Sequence, residues 1–215
     1  MELQKKDFIE INFTGKIKDT GEIFDSNIED DLKKFNPNLK AKPFVFALGE
    51  DMFLKGIDEF LIGKKIGKYE IELSPEKSFG KRNSSMIQMI PIKFFREQKL
   101  NPIPGAVFNF DGRPAKVLTT SGGRVIVDFN NPIAGKTVVY NIEILKKIDD
   151  LNEKINALNE FFFRKDFKFE INEKKLILYA EKHYVKFIEL FKDKYKEIFD
   201  LDLEVRELEE KEKTN

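Results

Sequence analysis

The sequence predicts an α+β chain built in three parts. Three observations carry that prediction. Short strand-like runs broken by turn residues fill residues 1–80, with one stretch at helical spacing among them. After Lys81, turn dipeptides recur at hairpin distance and mark a compact β unit. From residue 151 the periodicity changes again, to the order α-β-β-α-β.

The first run holds Phe8, Ile9, Ile11 and Phe13, and Asp19, Thr20 and Gly21 then turn the chain. In "GEIFDS" (21–26) an apolar pair, Ile23 and Phe24, meets Asp25 at once. Two readings of that acid are open. It is a solvated turn residue, a common role for Asp, or its carboxylate points into an apolar pocket. "FVFALG" (44–49) is a strand closed by glycine. In 52–67, Phe53, Leu54, Ile57, Phe60 and Leu61 recur at spacings of three and four, which predicts one short helix ended by Gly63 and Gly67. "KYEIELSP" (68–75) alternates as a half-buried strand does, and Pro75 stops it.

"KRNSSMIQMIP" then passes from polar to apolar, and "IKFFREQ" is a helical turn. Strands follow at 107–110, 115–119 and 124–129, with turns at Asp111-Gly112 and Ser121-Gly122-Gly123. Residues 135–148 form a long strand with Val138, Tyr140, Ile142 and Ile144 on one face. Residues 151–165 read as an amphipathic helix through Leu151, Ile155, Leu158 and Phe162. A hairpin turns at 172–174, and 184–199 reads as one helix with Phe187, Ile188, Phe191, Tyr195, Ile198 and Phe199 on one side. Residues 201–207 make the last strand, and the charged end 209–215 is expected to fray.

Composition removes several function classes. Lys and Arg total 38 and so do Asp and Glu, so no net charge draws the chain to nucleic acid or an anionic membrane. There is no cysteine, which excludes disulfides and thiolate chemistry. His183 is the single histidine, so neither a histidine metal cluster nor a Ser-His-Asp system with a spare candidate is expected. No metal or cofactor is called for. The start "MELQKKDFIE" lacks the apolar run of a signal peptide. No stretch reaches the ~18 apolar residues of a membrane span. A soluble, cytoplasmic protein is expected. The 22 phenylalanines, against five tyrosines and no tryptophan, are the unusual feature.

"FTG" (13–15), "GEIFDS" (21–26), "PFVFALG" (43–49), "LKGIDEFLIGKKIG" (54–67) and "LSPEKSFG" (73–80) occur in the order and spacing of a known family. They resemble the FKBP-type peptidyl-prolyl cis-trans isomerases, and "AGKTVVYNIEI" (134–144) resembles the closing strand of that family. The intervening β unit stands where SlyD-like members carry an insert-in-flap domain. With its C-terminal extension the chain is most similar to the long archaeal members. The resemblance implies a bent antiparallel sheet wrapped on one short helix, discontinuous over 1–83 and 130–150. It implies an inserted chaperone domain at 84–129 and leaves 151–215 as a C-terminal α+β domain.

The resemblance also implies a site. Asp25, Phe79 and Tyr140 take the catalytic positions, and Phe13, Phe24, Phe44, Phe53, Leu54 and Ile57 form the proline pocket. Leu54 would offer a backbone N–H to the peptide. Three positions depart from the family pattern. Phe13 and Phe79 stand where tyrosines are common, so two hydroxyl donors are missing, and Ile57 stands where tryptophan is common. Taken singly, Phe13, Phe44, Phe53 and Tyr140 read better as core residues than as a site; only their joint spacing with "FDS" and "SPEKSFG" reverses that.

In the insert, Met86, Ile87, Met89, Ile90, Phe94 and Phe95 are too many apolar groups for so small a unit. They are read as a client groove, because Met adapts to many partners. The other reading is a core with a flap packed on the pocket. The expected partners are unfolded or nascent polypeptides containing proline. The expected function is isomerisation of X–Pro bonds joined to chaperone capture; the alternative is a non-enzymatic holdase with a degenerate pocket. A scaffold that docks a fixed partner through its C-terminal domain has less support. Phe161, Phe162 and Phe163 cannot all face one small core. They predict a homodimer through 151–215, unless that unit packs on its own chain.

Overall fold

The structure, a computed structural model, describes residues 2–35, 38 and 40–208. The end expected to fray lies outside them, and so does part of the 27–42 segment. The chain is mixed α+β with antiparallel sheets and few helices, as the sequence predicts.

Strand β1 (Phe8–Ile17) is the spine of the first sheet. Its start pairs with β3 (Phe44–Ala47), its end with β2 (Ile23–Ser26), and its whole length with β9 (Val138–Ile148). β9 in turn pairs with β4 (Lys68–Leu73), and every pairing is antiparallel. The register of β1 slips at Glu10/Ile11 against β9 and at Gly15/Lys16 against β2. Such bulges bend a strand, so one strand serves two neighbours on the same edge. Helix α2 (Lys55–Leu61) buries Ile57 and Leu61 against this sheet. Gly56 permits the contact, because a Cβ there would sit 2.6 Å from Leu73 and 2.8 Å from the Lys77 carbonyl oxygen.

Between β2 and β3 the chain forms a further helix, α1 (Glu29–Phe35). Its acids lie in the first turn and its lysines in the last, which suits the helix dipole.

A second sheet, in the order β5-β8-β7-β6, is made by β5 (Ile87–Pro91), β6 (Val107–Phe110), β7 (Arg113–Ser121) and β8 (Arg124–Asp128). Helix α3 (Ile92–Glu97) follows β5. This sheet has its own small core of Phe95, Ala115, Val117, Val125 and Val127. It joins the first sheet at a polar neck. Arg82 pairs with Asp128, the Asn83 N–H donates to Asn130 Oδ1 at 2.8 Å, and Asn130 Nδ2 returns a bond to the Asn83 carbonyl at 3.0 Å.

After α4 (Leu151–Phe163) comes a third sheet, β10 (Lys168–Asn172), β11 (Lys175–Ala180) and β12 (Asp202–Glu207). β11 is central, antiparallel to β10 and parallel to β12. The single helix expected over 184–199 is two, α5 (Lys182–Glu189) and α6 (Lys192–Phe199). The break at Leu190 and Phe191 uses tighter bonds, Leu190 N–H to Phe187 O and Phe191 N–H to Ile188 O. It turns Phe191 onto Phe162 and Phe163, with ring centroids 4.6 and 5.2 Å away, while Phe199 stacks on Phe8 at 5.7 Å.

The third sheet therefore packs on its own chain. Ile155, Leu158, Tyr195 and Leu203 belong to one continuous core with Phe8, Phe46 and Ile57. Phe163 is buried and Phe161 and Phe162 are half-buried in that packing. The intramolecular contact takes up Phe163 and part of Phe161 and Phe162, the aromatics from which a homodimer is expected. Among the described residues, no helix is long and apolar enough to cross a membrane.

Candidate functional site

An aromatic network fills the junction of β1, β2, β3 and β9. The Tyr140 ring is its hub, with centroids 6.0 Å from Phe13, 5.8 Å from Phe24 and 5.6 Å from Phe53. Phe44 stands against Phe13 and Phe53, and Phe79 lies edge-on to Phe24 at 5.4 Å. Gly15 makes this packing possible. A Cβ there would lie 2.9 Å from the Tyr140 ring and 3.1 Å from Phe24. That explains the glycine of the "FTG" run in steric terms.

A cleft of about 630 Å³ opens beside the network, and Phe13, Asp25, Phe44 and Phe53 line it. The other expected pocket residues stand behind it or beside it. Tyr140 and Ile57 are fully buried, so neither presents a free surface to a ligand. Phe24 and Phe79 form the flank on the far side of Tyr140. Leu54 caps the start of α2, where its carbonyl accepts the Ile57 N–H at 2.8 Å.

The Tyr140 hydroxyl donates to Asp25 Oδ2 at 3.3 Å. Burial raises the Asp25 carboxyl above its usual range, and the bonds from Tyr140 and the Ser26 backbone only partly offset that. Burial, with Asp25 beside it, raises the Tyr140 hydroxyl as well. The acid at the end of the "IFD" run is therefore no solvated turn residue.

Two residues that hold this geometry were not singled out in the sequence. Asn27 Oδ1 accepts the Phe13 N–H at 2.7 Å, and its Nδ2 donates to the Ile11 carbonyl at 2.9 Å. On α1, Asp31 Oδ2 accepts from the Thr14 hydroxyl at 2.6 Å and from the Ser26 hydroxyl at 3.1 Å. Burial works against the Asp31 charge, yet these hydroxyls and Lys34 hold its carboxyl below the usual range. Together they pin the end of β2, just past Asp25, to β1. The available signal was Asn27 directly after "FDS", an Asx residue at a strand end.

In the insert the six expected client residues separate. Phe95 is a correction. It is fully buried in the core of the unit, against Phe108 and Phe110, and is not exposed to a client. Ile90 is half-buried on that core, and Met86 is half-buried. Ile87, Met89 and Phe94 are exposed, Met89 to 57%. Period-two alternation puts Ile87 and Met89 on the outer face of β5 and Ile90 on the inner one. Ile103 and Val107 were not picked from the sequence, and they are as exposed as Met89, at 57% and 62%.

Comparison with known proteins agrees with this architecture. The family described as "FKBP26, IF domain" matches residues 88–133. The short-type peptidyl-prolyl cis-trans isomerase of Methanocaldococcus jannaschii is 27% identical over 146 residues, covering 66% of this chain and 92% of that protein. The FKBP-type 16 kDa peptidyl-prolyl cis-trans isomerase of Escherichia coli is 31% identical over 129 residues, 57% of this chain and 86% of that one. The FKBP-type peptidyl-prolyl cis-trans isomerase SlyD of Helicobacter pylori is 27% identical over 124 residues, 56% of this chain and 67% of that one. The chain thus belongs to the FKBP-type peptidyl-prolyl cis-trans isomerases, among the SlyD-like members that carry an inserted flap domain.

Proposed function

We propose that the cleft beside Tyr140 binds the proline of an X–Pro segment and lowers the barrier to its rotation. The observation that carries this reading is the pairing of Asp25, half-buried and with its carboxyl raised, with an otherwise apolar wall of Phe13, Phe44 and Phe53. Amide resonance sets the X–Pro barrier near ~20 kcal/mol. That resonance makes the planar ground state polar, and water stabilises it; the twisted state is less polar. An apolar aromatic wall therefore favours the twist without a nucleophile. Phe13, Phe44 and Phe53 surround the ring of the substrate proline. Phe24 and Phe79 back the Tyr140 ring from its other side, Leu54 offers its N–H, and Ile57 supports the floor from beneath. Asp25 meets the polar atoms of the twisted amide, and Tyr140 orients Asp25.

The domain division follows the same reading. Residues 1–83 and 130–150 carry the chemistry, 84–129 capture client chain, and 151–215 form a unit docked on the isomerase body. Capture rests on the exposed Ile87, Met89 and Phe94, with Met86 and Ile90 partly available beside them. β5 and β6 are the edges of their sheet among the described residues, so an extended segment can add as a strand. Holding an unfolded segment there raises the local concentration of its prolines at the cleft. The clients are unfolded or nascent polypeptides containing proline. A homodimer through the C-terminal unit is proposed only on β10 and β12, the edges of its sheet among the described residues; light scattering at high micromolar concentration checks it.

The test compares the full chain with one carrying Met89→Glu and Phe94→Ser. Turnover of a proline tetrapeptide should be retained, while catalysed refolding of an unfolded, proline-limited protein should drop about tenfold or more. Equal loss on both substrates would make the insert a structural element. An intact chain inactive on both would leave the holdase alternative.

A further inference from the structure

The cleft that holds Phe13, Asp25, Phe44 and Phe53 is not closed by the isomerase body alone. Its opposite wall is α4 and the turn after it. Asn156, Ala157, Glu160 and Phe161 face the cleft, whereas Ile155, Leu158 and Phe163 of the same helix are buried in the common core. Positions 153, 156, 157, 160, 161 and 164 recur at three- and four-residue steps, so the cleft receives one continuous helical face.

That face has a definite chemistry. Ala157 and Phe161 extend the apolar wall begun by Phe44 and Val45. Around them stand four carboxylates, Asp25, Glu153, Glu160 and Asp166, against two cations, Lys42 and Arg164. Glu153 already shares Lys146 with Glu10. Glu160 is half-buried and takes part in no ion pair among the described residues. The cleft is thus apolar in its middle and carries excess negative charge on the α4 side.

We propose that α4 is the second wall of the substrate cleft and sets its specificity. It favours X–Pro segments with Lys or Arg near the proline over the same segments with Asp or Glu. The inference rests on the reading of the cleft as the X–Pro site. Ala157 and Phe161 meet the aliphatic stem of the flanking side chain, and Glu160 and Glu153 meet its charge. An unpaired carboxylate beside a low-dielectric wall discriminates by charge more sharply than one in open water.

The experiment measures binding by fluorescence anisotropy and turnover for two peptides that share one X–Pro core. They differ only in Lys or Glu at the flanking positions. The proteins are the full chain, Glu160→Lys and Asn156→Lys; Asn156 is exposed, so the second variant keeps the test open should the first fail to fold. The wild-type chain should prefer the Lys peptide on the order of fivefold, with the ratio shrinking as salt screens it. Either variant should bring the ratio to one or invert it. A wild-type ratio of one, or a ratio that both folded variants leave in place, overturns the proposal. Binding with the same Lys preference but no turnover would sustain the wall while removing the isomerase reading of the cleft.

Discussion

At the residue scale, the site turns on which strand supplies a hydroxyl. The resemblance implied that Phe13 lacks the tyrosine oxygen that can bond the acid. In the structure Asp25 receives its bond from Tyr140 on β9 instead, at 3.3 Å. The missing donor is thus replaced across the sheet, which a linear motif comparison does not reveal because residues 25 and 140 lie in separate runs of the sequence. A donor to a carboxylate stabilises the charged form. Tyr140→Phe keeps the ring in its aromatic contacts and deletes only that donor. Asp25, already raised by burial, should then rise further. With the carboxylate as the working form, activity is lost as pH falls through the Asp25 pKa. The acid limb of the kcat/KM profile should therefore move to higher pH in Tyr140→Phe. At neutral pH the loss should stay within about tenfold, because a long bond to a charged group is worth ~1.5 kcal/mol. An unmoved acid limb would separate the hydroxyl from the working acid. Phe95 illustrates the opposite failure of the sequence. Phe94 and Phe95 are adjacent and chemically identical, and only the path of α3 decides that one fills the insert core while the other meets solvent.

At the element scale, α2 was legible because its apolar residues recur at three and four, and α1 was not, because its short polar run has a single leucine. The break between α5 and α6 was invisible for a different reason. The sequence has no Pro or Gly there, and tertiary contacts of Phe191 with Phe162 and Phe163 impose it. Asp58 on α2 also escaped notice, though it lies four residues after Leu54 and three before Leu61, on the buried side. It is 4% exposed, and one of its carboxylate oxygens has no partner among the described residues. Burial is the main cause that pushes its pKa from 3.8 up to about 6; Asp51 and Glu50 add to the rise, and the Gly49 N–H partly offsets it. The folded state therefore holds this proton more tightly than the unfolded state. Stability is greatest while both states are protonated, below about pH 4, and falls as pH rises toward 6. Taken alone, the shift corresponds to at most about 3 kcal/mol. Asp58→Asn cannot ionise. It should be more stable than the natural chain by ~1–3 kcal/mol in urea unfolding at pH 7.5, with the difference vanishing by pH 4. A difference that does not vary with pH would place the effect in packing instead of charge.

At the scale of the whole molecule, three sheets share two cores among the described residues. One core runs without interruption from Phe8, Phe46 and Ile57 through Ile155 and Leu158 to Tyr195 and Leu203. The other, around Phe95, Val117 and Val127, is confined to the insert and connects through the polar neck at Arg82, Asn83, Asp128 and Asn130. Three textures in the sequence suggested three units, because periodicity marks where elements change and says nothing of which faces meet. Charged contacts strengthen the join of the first and third sheets. Glu50, almost fully buried, accepts Lys194 Nζ at 2.6 Å, and Lys6 Nζ reaches the Glu197 carbonyl oxygen at 2.6 Å. Removing one partner of a buried pair is costly because the other charge stays buried. Apolar contact reinforces the same seam where Phe199 stacks on Phe8. If burial across the seam governs cooperativity, the isomerase body and the C-terminal unit unfold together while the insert opens on its own. Phe199→Ala should then cost about 3 kcal/mol, near the low end for such a truncation because the ring is only half-buried. In hydrogen exchange the loss of protection should reach β1, β3 and β9 as well as α6 and β12, and should leave β7 and β8 unchanged. Val117→Ala should do the reverse, lowering protection in the insert sheet alone. Loss confined to residues 151–208 in Phe199→Ala would mean that the seam joins two independently stable bodies, and α4 would then face the cleft as a docked neighbour able to leave it.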